Sequence, residues 1–215
     1  LHLLSRRQRQ MCIRDRLYEM LESRPADRLW HTGFLTLSSH EPFEVPYNRL
    51  KDKRQNSFAY TDHCLGEFID RLKQLPVWNN LLVICLPDHG SSPTFNVTSP
   101  TFYHIPMLWL GGAIKAPAVI HTLMNQSDMP ATLLGQLGLP HQDFKYSRNI
   151  FSTSYTYPFA YSTFSDGFMF KDSTGVTIFD NAARKPVYNE PAPDGAREEK
   201  GMAILQTSYD QLGEN

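Results

Sequence analysis

Cysteine is scarce, with three residues at Cys12, Cys64 and Cys85 and neither a CxxC pair nor a zinc-finger spacing among them. That excludes a disulfide-stapled scaffold and a zinc ribbon, and it makes Cys64 and Cys85 expected core thiols. Neither sign of charge is in excess: 21 Lys and Arg stand against 22 Asp and Glu, for a formal net charge of -1. A basic footprint for nucleic acid and a charged tail are both missing. No apolar run is long enough to cross a bilayer, and no secretory leader is visible in the sequence as it stands. Repeats and low-complexity tracts are absent as well.

What is present is ordinary globular material, 41% hydrophobic and 20% charged over 215 residues. This suits one domain with a small appended subdomain. The beginning departs from that texture. Residues 6–16 read RRQRQMCIRDR, and in one frame their back-translation resembles a transposon-end adapter used in sequencing libraries. Residues 1–16 are therefore expected to be non-native and without a role in the fold, with the natural reading frame starting near Leu17.

Gly33 to Ser38 (GFLTLS) is a short β-prone run, expected as a buried strand with Ser38, Ser39 and His40 at its carboxyl end. From Lys53 to Gln74 the period is helical, with Phe58, Leu65, Phe68, Ile69 and Leu72 on one face and Pro76 as the stop. Leu81 to Leu86 (LLVICL) is continuously apolar, as a central parallel strand would be. Ile105 to Leu110 (IPMLWL) is a further strand closed by Gly111-Gly112, and Ser127 is the expected N-cap of a helix over Asp128 to Leu137. This order argues for an α/β fold, a mostly parallel sheet with helices on both faces. After Phe151 the pattern shifts to short β-prone runs, Tyr161–Asp166, Phe168–Asp172, Gly175–Asp180 and Pro186–Asn189, separated by Gly, Asp and Asn. A small antiparallel β subdomain is expected there, then a linker at Ala192 to Gly195 and a last helix over Met202 to Leu212. The expected organisation is thus 1–16 foreign, 17–152 the body of the α/β domain, and 153–215 the β-rich subdomain with its final helix.

The chemistry gathers at strand ends. Asp88-His89-Gly90 follows LLVICLP directly, at the carboxyl edge where open α/β sheets bind ligands. A turn starting at Asp88 can aim a carboxylate and an imidazole at one ion, and this donor pair suits zinc or manganese. The competing reading is a plain Asx-type turn. His40 lies past the first expected strand, where it could share a rim with Asp88 and serve a phosphate oxygen or act as acid or base. Its competing reading is a satisfied histidine in a Pro-containing loop. His104 precedes Ile105-Pro106, placed either to orient a metal ligand or simply to enter the strand. Asp62, His63 and Cys64 form no cluster, because successive helical positions fan out around the axis. His121 and His141 have no informative context.

In order, FLTLSSHEPFEVP, SFAYTDHCLGEFIDRLKQ, WNNLLVICLPDHG, HIPMLWLGGAIK and SDMPATLLGQLGLP resemble the lipoteichoic acid synthase-like branch of the sulfatase/alkaline phosphatase superfamily, closest in phrasing to Bacteroidetes-type members. The likeness runs from about Leu29 to about Ser152. It implies a divalent metal, Mn2+ or Zn2+, held in part by Asp88 and His89, and a phosphoryl contact from His40. It also implies a threonine nucleophile and an acidic metal ligand upstream of the residues present here; Thr32 and Thr36 stand too close to His40 to be that nucleophile. The implied parent is a phosphoglycerol-type transferase or phosphodiesterase acting through a covalent threonine on a phosphorylated lipid or glycan of the cell envelope. Membrane helices before the catalytic domain would anchor it to the inner membrane with the domain in the periplasm. The 215 residues alone are then expected to be inactive. The connection after Gly90 lacks an LHG-like segment, which counts against a phosphoethanolamine transferase. The alternatives are a sulfatase and a non-catalytic binding domain of the same fold.

Overall fold

The computed structural model describes residues 15–25, 28–91, 96–191 and 195–213. Cys12, most of the adapter-like run, residues 92–95 of the loop after Gly90, and residues 192–194 of the expected linker lie outside the described residues. The chain forms two compact units, Leu1–Cys85 with Leu108–Pro117, and Leu86–Met107 with Ala118–Asn215.

In the first unit, helix α1 spans Lys53–Leu72, two residues short of the expected end. Asp52 caps it by accepting the Gln55 amide at 2.8 Å. Ile69 and Leu72 bury with Leu21, Leu75 and Leu81, and Leu65, Phe68 and Trp30 pack around them. Phe58 departs from the expected face and is 41% exposed. The first turns of α1 are buried through polar side chains instead. Asn56 accepts from the amides of Arg49 and Leu50 at 2.9 and 2.8 Å and donates to the carbonyls of Leu50 and Asp52 at 2.7 and 3.0 Å. One amide side chain thereby satisfies four backbone groups of the incoming loop, which apolar periodicity does not reveal.

Strands β1 (Val83–Cys85) and β2 (Leu108–Leu110) pair in the register Val83↔Leu110, Ile84↔Trp109, Cys85↔Leu108. The pairing is antiparallel, which corrects the expectation of a parallel strand at Leu81–Leu86. A parallel partner needs a crossover of a dozen or more residues, usually a helix. The described part of 86–107 holds only a 3₁₀ turn at Pro100–Tyr103, so the chain comes back alongside β1 in the opposite sense. Gly111 ends β2 at φ +118°, and a Cβ there would stand 2.0 Å from the Leu81 carbonyl oxygen. Only glycine fits that approach.

Residues 33–38 form no strand, and Phe34, Leu35 and Leu37 are exposed. The run belongs to neither of the two sheets that the described residues form, and a strand is stable only within a sheet. The end of the adapter-like run does touch the fold: residues 15–22 are helical, and Arg71 pairs with Asp15 at 2.8 Å. Both side chains are about half exposed, so the pair contributes at most about 1 kcal/mol.

The second unit carries a four-stranded antiparallel meander in the order β3 (Ala160–Phe164), β4 (Gly167–Asp172), β5 (Gly175–Asp180), β6 (Lys185–Glu190). The expected antiparallel subdomain is therefore present. Phe168, Phe170 and Phe179 form its core with Phe159 and Tyr161, the rings of Phe168 and Phe179 stacked 5.5 Å apart. Helix α3 (Gly195–Gly213), longer than the expected Met202–Leu212, lays Gly201 on the Phe168 ring. From the same helix buried Arg197 donates to Thr177, Thr174, Asn189 and the Pro191 carbonyl, tying the β4–β5 turn, β5 and the end of β6 to one side chain. Helix α2 spans Met129–Gln136, preceded by a 3₁₀ turn at Gln126–Asp128. Its cap is not Ser127. Asn125 caps the turn and forms a reciprocal capping box with Asp128, whose carboxylate accepts the Asn125 amide at 2.8 Å. Asp128 is fully buried and receives Arg148 through Nη2 at 2.6 Å and Nε at 2.9 Å.

Candidate metal turn and neighbouring sites

Asp88 and His89 stand three and four residues past the end of β1, in a turn exposed on its side-chain face. The carboxylate folds back to accept the His89 amide at 3.0 Å. His89 Nδ1 lies 2.7 Å from the Gly90 carbonyl. A carbonyl only accepts, so Nδ1 carries the proton in the neutral ring and Nε2 keeps its lone pair. That Nε2 faces Asp88 Oδ1 across 3.9 Å, with the two side chains 66% and 72% exposed. The ring orientation and tautomer are those of a metal-ligating imidazole held by a backbone carbonyl. The pair fits half of a divalent site. No group of three or more His, Cys, Asp and Glu residues suitable for a metal occurs among the described residues.

The turn is held from below. Gly90 is buried, and a Cβ on it would fall 1.6 Å from the Phe102 carbonyl oxygen. Glycine is required here by close backbone approach. On the other side, Gln126 Nε2 donates to the Pro87 carbonyl at 2.9 Å. Nothing in the sequence marks Gln126, since the bond spans 39 residues and involves a main-chain acceptor.

His40 belongs to the first unit. Its amide donates to the Leu37 carbonyl at 3.2 Å and its carbonyl accepts from Phe43 at 3.0 Å, so two successive turns present the ring. Nδ1 lies 3.0 Å from the Glu41 carbonyl, which again leaves an accessible Nε2. Two residues earlier, Ser38 is tied to α1. The Thr61 hydroxyl donates to the Ser57 carbonyl, so Ser38 donates to Thr61 Oγ1 at 2.9 Å. His104 is exposed, follows the 3₁₀ turn at Pro100–Tyr103, and makes no hydrogen bond to Asp88 or His89 among the described residues. On α1, His63 pairs with Glu67 at 3.4 Å while Cys64 is buried, which separates that run as helical spacing requires. Neither Cys64 nor Cys85 is in a disulfide, and burial pushes the Cys85 thiol up.

A second titratable cluster lies in the meander. The Tyr157 hydroxyl donates to Asp172 and receives Lys200 Nζ at 2.7 Å, and Lys200 stands 3.6 Å from the same carboxylate. Burial pushes the Asp172 carboxyl up, but hydrogen bonds from Thr174 and Tyr157 together with the Lys200 charge outweigh it and hold the group at about 2. Burial pushes the Tyr157 phenol up, and its bond to Asp172 acts in the same direction. A phenol kept protonated and a lysine kept charged make a clamp between α3 and the sheet, not an activated nucleophile.

A family model described as Sulfatase matches residues 10–139, more than half of the chain. Arylsulfatase K of the dog, Canis lupus familiaris, is 34% identical over 91 residues, which cover 38% of this chain and 16% of that protein. A crystal structure of a protein in the alkaline phosphatase superfamily from Vibrio parahaemolyticus aligns with a TM-score of 0.59 and 21% identity, over 82% of this chain and 48% of its own. At that identity the likeness bears on fold: the architecture is an α/β fold of the alkaline phosphatase superfamily kind. The chain spans about half of that solved chain and 16% of the curated relative.

Proposed function

The chain belongs to the sulfatase family, and on that premise we propose that its parent protein cleaves or transfers a phosphodiester in a metal-dependent reaction of the phosphoglycerol type. The observation that carries this is the Asp88–His89 turn, where Oδ1 and a lone-pair Nε2 face each other across 3.9 Å. Asp88 and His89 would hold a manganese or zinc ion. Such an ion, when bound, supplies Lewis acidity and lowers the pKa of a bound hydroxyl. The Gly90 carbonyl keeps His89 in its ligating tautomer. His40, with Nδ1 engaged by Glu41, would offer Nε2 to a non-bridging oxygen of the substrate. A covalent threonine belongs to this reading as a residue of the parent outside this chain. Residues 17–152 would serve the catalytic domain and 153–215 a β-rich appendage. A phosphorylated lipid or glycan at the cell envelope is the substrate class, reached from a membrane anchor in the parent.

A second reading is a sulfatase, favoured by the likeness to arylsulfatase K. The two separate in an assay of the full-length protein with bis-p-nitrophenyl phosphate and p-nitrophenyl sulfate in manganese and in zinc. The proposal expects metal-dependent turnover of the phosphodiester that is lost in Asp88→Ala. Turnover of the sulfate ester alone selects the second reading. Turnover that survives both chelation and Asp88→Ala contradicts both.

A further inference from the structure

Gln126 is distant in sequence from the metal turn, yet its side chain reaches it. We propose that Gln126 is a positioning residue for the Asp88–His89 donor pair, fixing the peptide plane from which Asp88 projects; this rests on the reading of that pair as metal ligands. The Gln126 Nε2 bond ends on the Pro87 carbonyl at 2.9 Å. That carbonyl belongs to the peptide that carries the Asp88 nitrogen, so the bond sets the plane about which the Asp88 Cα–Cβ direction turns. On the far side Gly90 is pressed against the Phe102 carbonyl. The two contacts bracket the donor pair and leave its side chains open to solvent.

The anchor is itself rigid. Gln126 opens the 3₁₀ turn whose N-cap, Asn125, is held by the capping box with Asp128. Asn125 Oδ1 also accepts the Tyr161 amide of β3 at 2.8 Å, and Asp128 is gripped by Arg148 at 2.6 Å. Gln126 therefore transmits the position of β3 and α2 to the turn through one hydrogen bond. Gln126 is exposed, so a single neutral bond at this site adds little to global stability. Its effect falls on the direction of the ligands; partners that hydrogen-bond a ligand directly change metal affinity about 10- to 100-fold, and a contact one peptide removed is expected at the lower end.

The test is a manganese titration of the 215-residue chain followed by NMR of 13C-labelled histidine, reading paramagnetic broadening of the His89 ring. Gln126→Met keeps the stem and removes the donor, Gln126→Ala removes both, and thermal melts report folding in parallel. In the wild-type chain the His89 signal is expected to broaden first among the histidines. In both variants the midpoint is expected to move about tenfold higher in manganese with the melting temperature held. Equal midpoints in all three proteins overturn the positioning role and leave Asp88 and His89 as donors. Absence of broadening at His89 in the wild-type chain overturns the metal reading, and the role of Gln126 with it. A midpoint shift that appears only in proportion to lost folded signal also overturns it, because Gln126 would then act through stability alone.

Discussion

Gly90 and Asp172 show how much one residue can carry. A methyl on Gly90 would need the Phe102 carbonyl, 1.6 Å from the Cβ position, to move, and that carbonyl is main chain. Gly90→Ala is expected to cost on the order of 2 kcal/mol or more, read in a urea melt. It should also weaken metal binding at Asp88 and His89, since the turn must shift. Asp172 sits at about 2 when folded against an ordinary 3.8. Because the folded value is the lower, the stabilisation is complete above the ordinary value and is lost as pH falls from about 4 through about 2. The gap corresponds to roughly 2 kcal/mol at neutral pH. Tyr157→Phe removes one of the bonds holding Asp172 down, so its acid unfolding midpoint by circular dichroism is expected at higher pH than in the wild type. An unchanged midpoint would show that Tyr157 does not hold Asp172 ionised.

Among the elements, the capped start of α2 is tied by several side chains at once. Arg148 neutralises the buried Asp128 and lies 3.7 Å over the Phe159 ring. Arg148→Ala strands a buried carboxylate and is expected to destabilise by about 3 kcal/mol in chemical denaturation. Asp128→Asn, which keeps shape and removes the charge, should cost less when combined with Arg148→Ala than the arithmetic of the single changes suggests. The meander was legible in the sequence because glycine and asparagine punctuate short β-prone runs, and Gly175–Asp180 emerges with its expected bounds. Helix α1 was legible from its 3.6-residue period. Strand direction was not, since an apolar run such as Leu81–Leu86 looks alike in a parallel and an antiparallel pair. Residues 33–38 read as a strand because β propensity describes a half-buried surface, whereas this run lies outside both sheets and exposes Phe34, Leu35 and Leu37. Ser127 and Asn125 are both good caps, and what decides between them is the reach of Asp128 back to the Asn125 amide.

For the whole molecule, phenol titration gives a global check on packing. Burial pushes Tyr103, Tyr155 and Tyr161 up to about 12. Of ten tyrosines, these three are expected to ionise last in an ultraviolet titration. Unfolded phenols release their protons near pH 10, so stability is expected to fall from that point as pH rises. Asp88 and His89 stood out as candidates in the sequence because a carboxylate and an imidazole follow an apolar strand. What holds them did not, because Phe102 acts through its carbonyl and Gln126 acts on one. The glycine at position 90 marks a close approach, but residue type does not say which main-chain group lies against it.

Asp88 and His89 are proposed to be two donors of a divalent metal site. Isothermal titration of the 215-residue chain with zinc, beside Asp88→Ala and His89→Ala, tests it most directly. Weak binding at a single site in the wild-type chain, lost in both variants while their melting temperatures stay put, is the predicted result. Binding of equal strength in all three proteins, or none in the wild-type chain, would contradict it.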